Sequence, residues 1–302
     1  MPTYLSTQLD VTRPLQFVGE GLLTTSSNFA SKTNPTYTNV GLNPVWSLEY
    51  KPEAVEIRKV GSMTRDQKVK VFETGILNIK THINTANGLD FAKWCFNAPS
   101  STGTIAESFD FAWSYKVNTT EYFARAQGCL PMSATLDIAD KGMVELSAKI
   151  FVAKPILPNA STFIGTGSWA TASSGAPFTH SDGGSSPFTF NATTYGTKNF
   201  SMTASYELAT DESSGDTNTL WARPTVKTIT GSVEVYTKDL NLLTDAKNQT
   251  SRTMSRVLKS ATNTISFTDV VFNDDSIDIP DADSSDPILS KLSYTAGTVA
   301  IS

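Results

Sequence analysis

"ETGILNIKTHINTANGLDFAKW", residues 73–94, changes its period halfway. The first part is β-rich, with Ile76, Ile79 and Ile83 at apolar positions and Gly75 marking a bulge or bend. The second part runs on to Phe96 and sets Leu89, Ala92, Trp94, Cys95 and Phe96 near helical spacing, with Asn87 as the cap. "ITGSVEVYTKDLNLLTDAKNQ", residues 229–249, repeats the order of strand and helix. Thr74-Gly75 sits in one strand and Thr230-Gly231 in the other, and Leu-Asp-Phe-Ala-Lys (89–93) stands against Leu-Thr-Asp-Ala-Lys (243–247). Neither copy carries an obvious catalytic group. A diverged internal duplication is the economical reading, and it predicts a mainly β chain of two tandem units, each with a flanking helix.

Outward from these copies the same grammar continues. "WSLEY" from Trp46 alternates as a short strand, and the charged "KPEAVEIRKVGSMTRDQK" (51–68) reads as a long loop or hairpin tip. The clearest hairpin is "GCLPMSATLDIADKGMVELSAKIFVAKPI": Leu130, Met132, Ala134, Leu136 and Ile138 alternate on the way out, and Val144, Leu146, Ala148, Ile150 and Val152 on the way back. One apolar face per strand is the mark of antiparallel sheet with one buried side. The turn "ADKG" offers Gly142 for a positive φ. The second unit shows strands at 200–208 and 264–274, with a polar loop over 209–224. The predicted division is an N-terminal arm (1–45), a first unit (46–160), a Ser/Gly-rich linker (161–196) and a second unit (197–302).

Charge and composition exclude several classes. The formal net charge of the 302 residues is −5, with no Lys/Arg cluster, so nucleic acid is not expected to be gripped through its phosphates. No apolar run reaches the roughly 20 residues of a membrane helix, and no secretory leader is expected from "MPTYLSTQLDVTRPLQF". His82 and His180 stand far apart, and no zinc spacing, nucleophile elbow or phosphate loop occurs, so an enzyme is not expected. Cys95, among bulky apolar neighbours, reads as a buried hydrophobe; a disulfide with Cys129 is possible but not required by spacing. The acidic stretch 273–287 offers Asp274, Asp275, Asp278, Asp281, Asp283 and Asp286, of which Asp278, Asp281 and Asp283 are weak metal candidates. It lacks the central Gly and terminal Glu of an EF-hand loop, and a solvated acidic loop is the plainer reading. No cofactor is expected.

The hairpin 122–156 resembles a recurring segment of the tail tube proteins of tailed bacteriophages and related archaeal viruses. "FSMTASYEL", "TVKTITGSVEVYTKDLNLLTD" and "TISFTDVVFND" resemble that segment's order as well. The resemblance implies two tandem β-sandwich or barrel domains, each flanked by a helix, that join edge to edge around a channel. It implies a structural virion protein of the tail, assembled in the host cytoplasm, whose rings stack head to tail. Six domains complete such a ring, so two per chain imply a trimer with pseudo-sixfold symmetry. Thr74, Gly75, Ile76, Ile79, Thr230, Gly231, Val233 and Val235 would then lie in ring-wall strands. Glu53, Glu56, Arg58, Arg65, Asp211, Glu212 and Asp216 are candidates for ring stacking. Implied partners are further copies, the terminator, tape-measure and distal tail proteins, and DNA that passes through an acidic lumen without specific binding; no membrane is implied. The duplicated chain favours a long non-contractile tail over the inner tube of a contractile injection system. A carbohydrate-binding or adhesive β-sandwich is the rival of another class, on the strength of five Trp and nine Tyr that could stack on sugars.

Overall fold

The computed structural model describes residues 10–21, 37–57, 67–85, 87–97, 108–117, 119–159, 169–170, 175–211, 221–260, 262–278 and 287–302. In chain order the elements are β1 (Asp10–Gly21), β2 (Thr38–Asn39), β3 (Leu42–Ile57), β4 (Gln67–His82), α1 (Gly88–Asn97), β5 (Ser108–Val117), β6 (Thr120–Ile138) and β7 (Val144–Asn159). There follow β8 (Phe188–Phe190), β9 (Thr193–Tyr195), β10 (Thr197–Asp211), β11 (Trp221–Tyr236), α2 (Asn241–Lys247), β12 (Arg252–Lys259), β13 (Asn263–Asp278), β14 (Leu289–Ala296) and β15 (Thr298–Ile301). The chain is mainly β, as its alternation dictates, and its strands join one antiparallel sheet system.

The trunk of that sheet runs β3-β4-β7-β6-β10-β11-β14-β13. Both halves go through one series of pairings. A hairpin (β3–β4 or β10–β11) leads into a helix, a second hairpin follows (β5–β6 or β12–β13), and the next strand returns to pair with the first hairpin (β7 on β4, β14 on β11). Gly75 lies between Tyr50 and Val152 as Gly231 lies between Met202 and Tyr294. β6 breaks register between Pro131 and Ser133, and β13 between Phe272 and Asp274. Buried side chains of both halves form one cluster, from Leu77, Phe91 and Leu136 to Phe200, Val233 and Phe267. At about 25 cal/mol per Å² of apolar surface, each such side chain contributes roughly 1.5–3 kcal/mol.

Several local expectations are refined. Gly75 marks no bulge, since its register with both neighbours is continuous. Asn87 holds the N-cap position of α1, its carbonyl accepting from the Phe91 amide at 3.3 Å, but the side-chain bonds come from Asn84, whose Oδ1 accepts from the backbone amides of Asn87 (3.2 Å) and Gly88 (2.9 Å). In the ADKG turn the positive φ belongs to Lys141 (56°), while the Gly142 amide donates to the Ala139 carbonyl at 2.9 Å. The charged tip over 51–68 and the polar loop over 209–224 both contain strand, because β3–β4 stays paired to Ile57↔Gln67, past a register shift at Glu53/Ala54, and β10–β11 to Asp211↔Trp221, past one at Glu207/Leu208. Cys95 and Cys129 are both buried, and no disulfide joins them.

The stretch read as a linker, 161–196, does structural work from residue 175 onward. Phe178 is fully buried; its amide donates to the Ile83 carbonyl, and its carbonyl accepts from Val144 (2.8 Å each), which ties this segment to β7 and the end of β4. A 3₁₀ turn at His180–Gly183 follows, and β8 and β9 then pair with each other while β8 pairs with β12. The Ser/Gly composition hides this because Phe178, Phe188, Phe190 and Tyr195 are isolated aromatics in a polar run.

Candidate functional site: a polar sheet face and its margins

Strand alternation sorts the trunk into two faces. One face feeds the core. The other is a field of hydroxyls and paired charges, in rows that cross the strands. Val45, Lys80, Ser147, Thr135, Thr203, Thr230, Thr295 and Val271 are successive register partners across all eight trunk strands. The neighbouring row holds His82, Glu145, Asp137, Ser201, Ser232 and Ser293.

Several charges on this face are paired locally. Lys80 meets Glu145 at 2.8 Å, and Lys291 meets Glu234 at 3.6 Å. The amides of Asn78 and Asn199 donate to Glu49 (3.0 Å) and to Glu234, the Ser201 hydroxyl donates to Asp137, and Thr135 and Thr203 share a hydroxyl bond of 2.9 Å. Such exposed pairs add little stability, about 0–1 kcal/mol each, but they leave the face without a basic cluster. A shallow depression of about 400 Å³ lies here, lined by Val45, Trp46, Ile79 and Ala148 as well as by polar side chains such as Asn78, Thr135 and Lys149.

The expected wall residues stand in the trunk. Thr74, Gly75, Ile76 and Ile79 are on β4, and Thr230, Gly231, Val233 and Val235 on β11, each strand paired on both flanks. Thr230 is on the polar face, whereas Val233 and Val235 point into the core at 2% and 0% exposure. Ile76 and Ile79 are buried as well, at 7% and 3%. A Cβ on Gly231 would lie 2.3 Å from the Ser201 carbonyl oxygen and 2.4 Å from the Tyr294 ring, so glycine here admits an aromatic laid across the strand. Of the stacking candidates, Glu53 and Glu56 are on β3, opposite Phe72 and Lys68, and Asp211 ends β10 opposite Trp221. Arg58, Arg65, Glu212 and Asp216 lie outside the described residues. Asp274, Asp275 and Asp278 are on β13; Asp281, Asp283 and Asp286 lie outside the described residues. No group of three or more His, Cys, Asp or Glu is placed to hold a metal among the described residues.

Three features had no local sequence signal. The two halves are sewn together by β6 and β10, in register from Phe200↔Ile138 to Ser205↔Ser133. The end of α1 is held by the second half: the Tyr206 hydroxyl donates to the Cys95 carbonyl at 2.6 Å, and Lys227 donates to that of Phe96. Burial pulls the Lys227 amine down to about 8. Finally, Arg125 on β6 pairs with Asp110 on β5, both almost fully buried, through Nε at 2.7 Å and Nη2. Burial pushes the Asp110 carboxyl up, and Arg125 opposes that shift. Trp46, Trp94, Trp113 and Trp169 each pack against another aromatic ring, Trp94 on Phe109 at 4.3 Å between centroids. No helix of the described residues is long and apolar enough to cross a membrane.

No curated protein matches the chain. A family model described as phage tail tube protein matches residues 2–296, nearly the whole length over which the wall-like trunk and its flanking helices are built. The chain belongs to the phage tail tube protein family.

Proposed function

We propose that the chain forms the wall of a tail tube in which each copy supplies two of six ring positions, so that three copies make a pseudo-sixfold ring and stacked rings make the tube. The two halves, read as a duplication at 46–160 and 197–302, each contribute four trunk strands. The observation that carries the reading is the joint between β6 and β10: it makes the trunk one continuous eight-strand sheet across both halves. Its polar face bears hydroxyls and locally paired charges, as suits the lining of a channel.

Eight strands from each of three chains make 24. At about 4.8 Å between strands and a tilt of roughly 40°, a closed wall of that size has a backbone diameter of about 48 Å. Duplex DNA passes such a bore. The lining is hydroxyl-rich and charge-matched rather than strongly acidic, and it gives phosphates no basic cluster to settle on. Stacking is a second, head-to-tail contact and generates a filament. The charged stretch 51–68 and the polar stretch 209–224, with the N-terminal arm, make that contact. Terminator, tape-measure and distal tail proteins meet the tube ends and lumen, and the two-unit chain suits a non-contractile tail.

Electron microscopy of the purified protein tests this. Hollow tubes whose rings contain three copies are expected. A monodisperse monomer at all concentrations refutes the tube, and rings of six copies refute the duplicated wall.

A further inference from the structure

We infer that copies of this chain join through two particular margins, the free flank of β3 and that of the second half of β13, in the register that β6 and β10 use within the chain. The inference deepens the tube reading and rests on it.

β6 is divided along one flank. Its first half, to Cys129, pairs with β5; beyond the register break at Pro131 the flank is taken by β10. β13 is divided in the same way. Its first half, to Val270, pairs with β12; beyond the break at Phe272 it pairs with β14 and, among the described residues, with nothing on the other flank. β3 holds the place in the first half that β10 holds in the second, and among the described residues it pairs with β4 alone. The margin left by β13 therefore fits the margin offered by β3. The partner must be another copy, because the two strands close opposite ends of the trunk.

Side-chain exposure agrees. Phe200 and Met202 on β10 are buried at 2% and 0%, whereas their counterparts on β3, Leu48 and Tyr50, are only half-buried. A neighbour across that flank would complete their cover. Direction agrees as well. Strands alternate through the trunk, so its first and eighth members run oppositely and a head-to-tail joint is antiparallel, as β6–β10 is. Closing it removes both edges, which would otherwise template aggregation.

The register follows from the internal joint. Lys149 faces Ser133 as Lys291 faces Ser276, so Thr135 corresponds to Asp278. Thr203 corresponds to Lys51, through the shared pairing of Gly231 and Gly75. Because Thr203 faces Thr135, Lys51 of one copy faces Asp278 of the next, a lysine against an aspartate. Pro52, beside Lys51, has no N–H, so one ladder bond is missing at that position, as it is at Pro131 and Pro155 inside the trunk.

Paired cysteines read the register directly. Native Cys95 and Cys129 are buried. The double variant Lys51→Cys/Asp278→Cys, oxidised or treated with a short thiol cross-linker, is expected to give covalent dimers and closed trimers. The slipped pair Glu49→Cys/Asp278→Cys and each single variant should give at least tenfold less. Circular dichroism and unchanged tubes under the microscope show that the variants still fold and assemble. Tubes that form without the Lys51–Asp278 product, or that favour the slipped pair, overturn this joint and leave the tube reading standing. Failure of the unmodified protein to assemble at any concentration overturns both.

Discussion

Replacing Gly231 with alanine tests the packing of the trunk at its tightest glycine contact. The new methyl would sit 2.3 Å from the Ser201 carbonyl oxygen and 2.4 Å from the Cζ and hydroxyl oxygen of Tyr294. Ordinary contacts between heavy atoms lie near 3.5–4.0 Å, so about 1 Å of overlap must be relieved. Ser201 cannot yield cheaply, because it is paired with Ser232 on one flank and Asp137 on the other, within the joint that unites the halves. Tyr294 can swing only by giving up its 3.1 Å hydroxyl bond to Ser201 and its edge contact with Phe267 at 5.7 Å. Overpacking costs about 1–3 kcal/mol, and the lost hydrogen bond about 1 kcal/mol. The stiffer unfolded chain returns roughly 0.4–1 kcal/mol, since no left-handed φ is needed at this position. The net loss is about 2 kcal/mol. Gly75→Ala is the control: its Cβ would meet the Glu49 oxygen at 3.1 Å and the Leu48 side chain at 3.2 Å, overlaps of a few tenths of an ångström. That change should stay within about 0.5 kcal/mol of the parent. Urea unfolding of unassembled protein, followed by circular dichroism, separates the two. Equal midpoints for Gly231→Ala and the parent, or equal losses for both glycines, would refute the reasoning.

Arg125→Ala should cost about 3–5 kcal/mol, because it strands the buried Asp110 carboxylate; double replacement of the pair by apolar residues should recover much of that loss, as thermal melts will show. Lys227 has a folded value near 8 against an ordinary 10.5, so between these the unfolded state binds more protons. The stability of the parent relative to Lys227→Met should therefore rise with pH from about 8 to 10.5, and a flat or falling difference in denaturant midpoints contradicts that account. Reversing Asp137 and Glu145 to lysine breaks the charge matching beside Lys80 and Ser201. Tubes of that variant should retain duplex DNA in sedimentation at low salt and release it as salt rises, whereas parent tubes should retain none. Replacing residues 58–66 by a two-residue turn should leave rings that no longer stack; long tubes seen by electron microscopy would disprove a stacking role for that tip.

The sequence by itself determined what is written at short range. Period-two alternation from Ala134 to Val152 specified a hairpin with one buried face, and observed pairs such as Leu136↔Leu146 and Ala134↔Ala148 follow it, whereas the break at Pro131–Ser133 takes Leu130 and Met132 out of the alternation. The recurrence of a strand with Thr-Gly, followed by a helix, marked α1 and α2. Side-chain period and helix propensity are properties of neighbours along the chain, so they can be read without a fold. Tertiary structure alone decided which strands lie side by side. The union of β6 with β10 is made by backbone amides and carbonyls, which every residue but proline carries, between segments more than sixty residues apart; no residue there announces its partner. For the same reason β3 and β4 extend through a stretch whose charges read as loop, and Phe178 becomes core although its neighbours read as linker. The polar face shows the two levels together. Alternation dictated that a hydroxyl-rich face would exist, and only the order of strands brought Lys80 to Glu145 and Lys291 to Glu234.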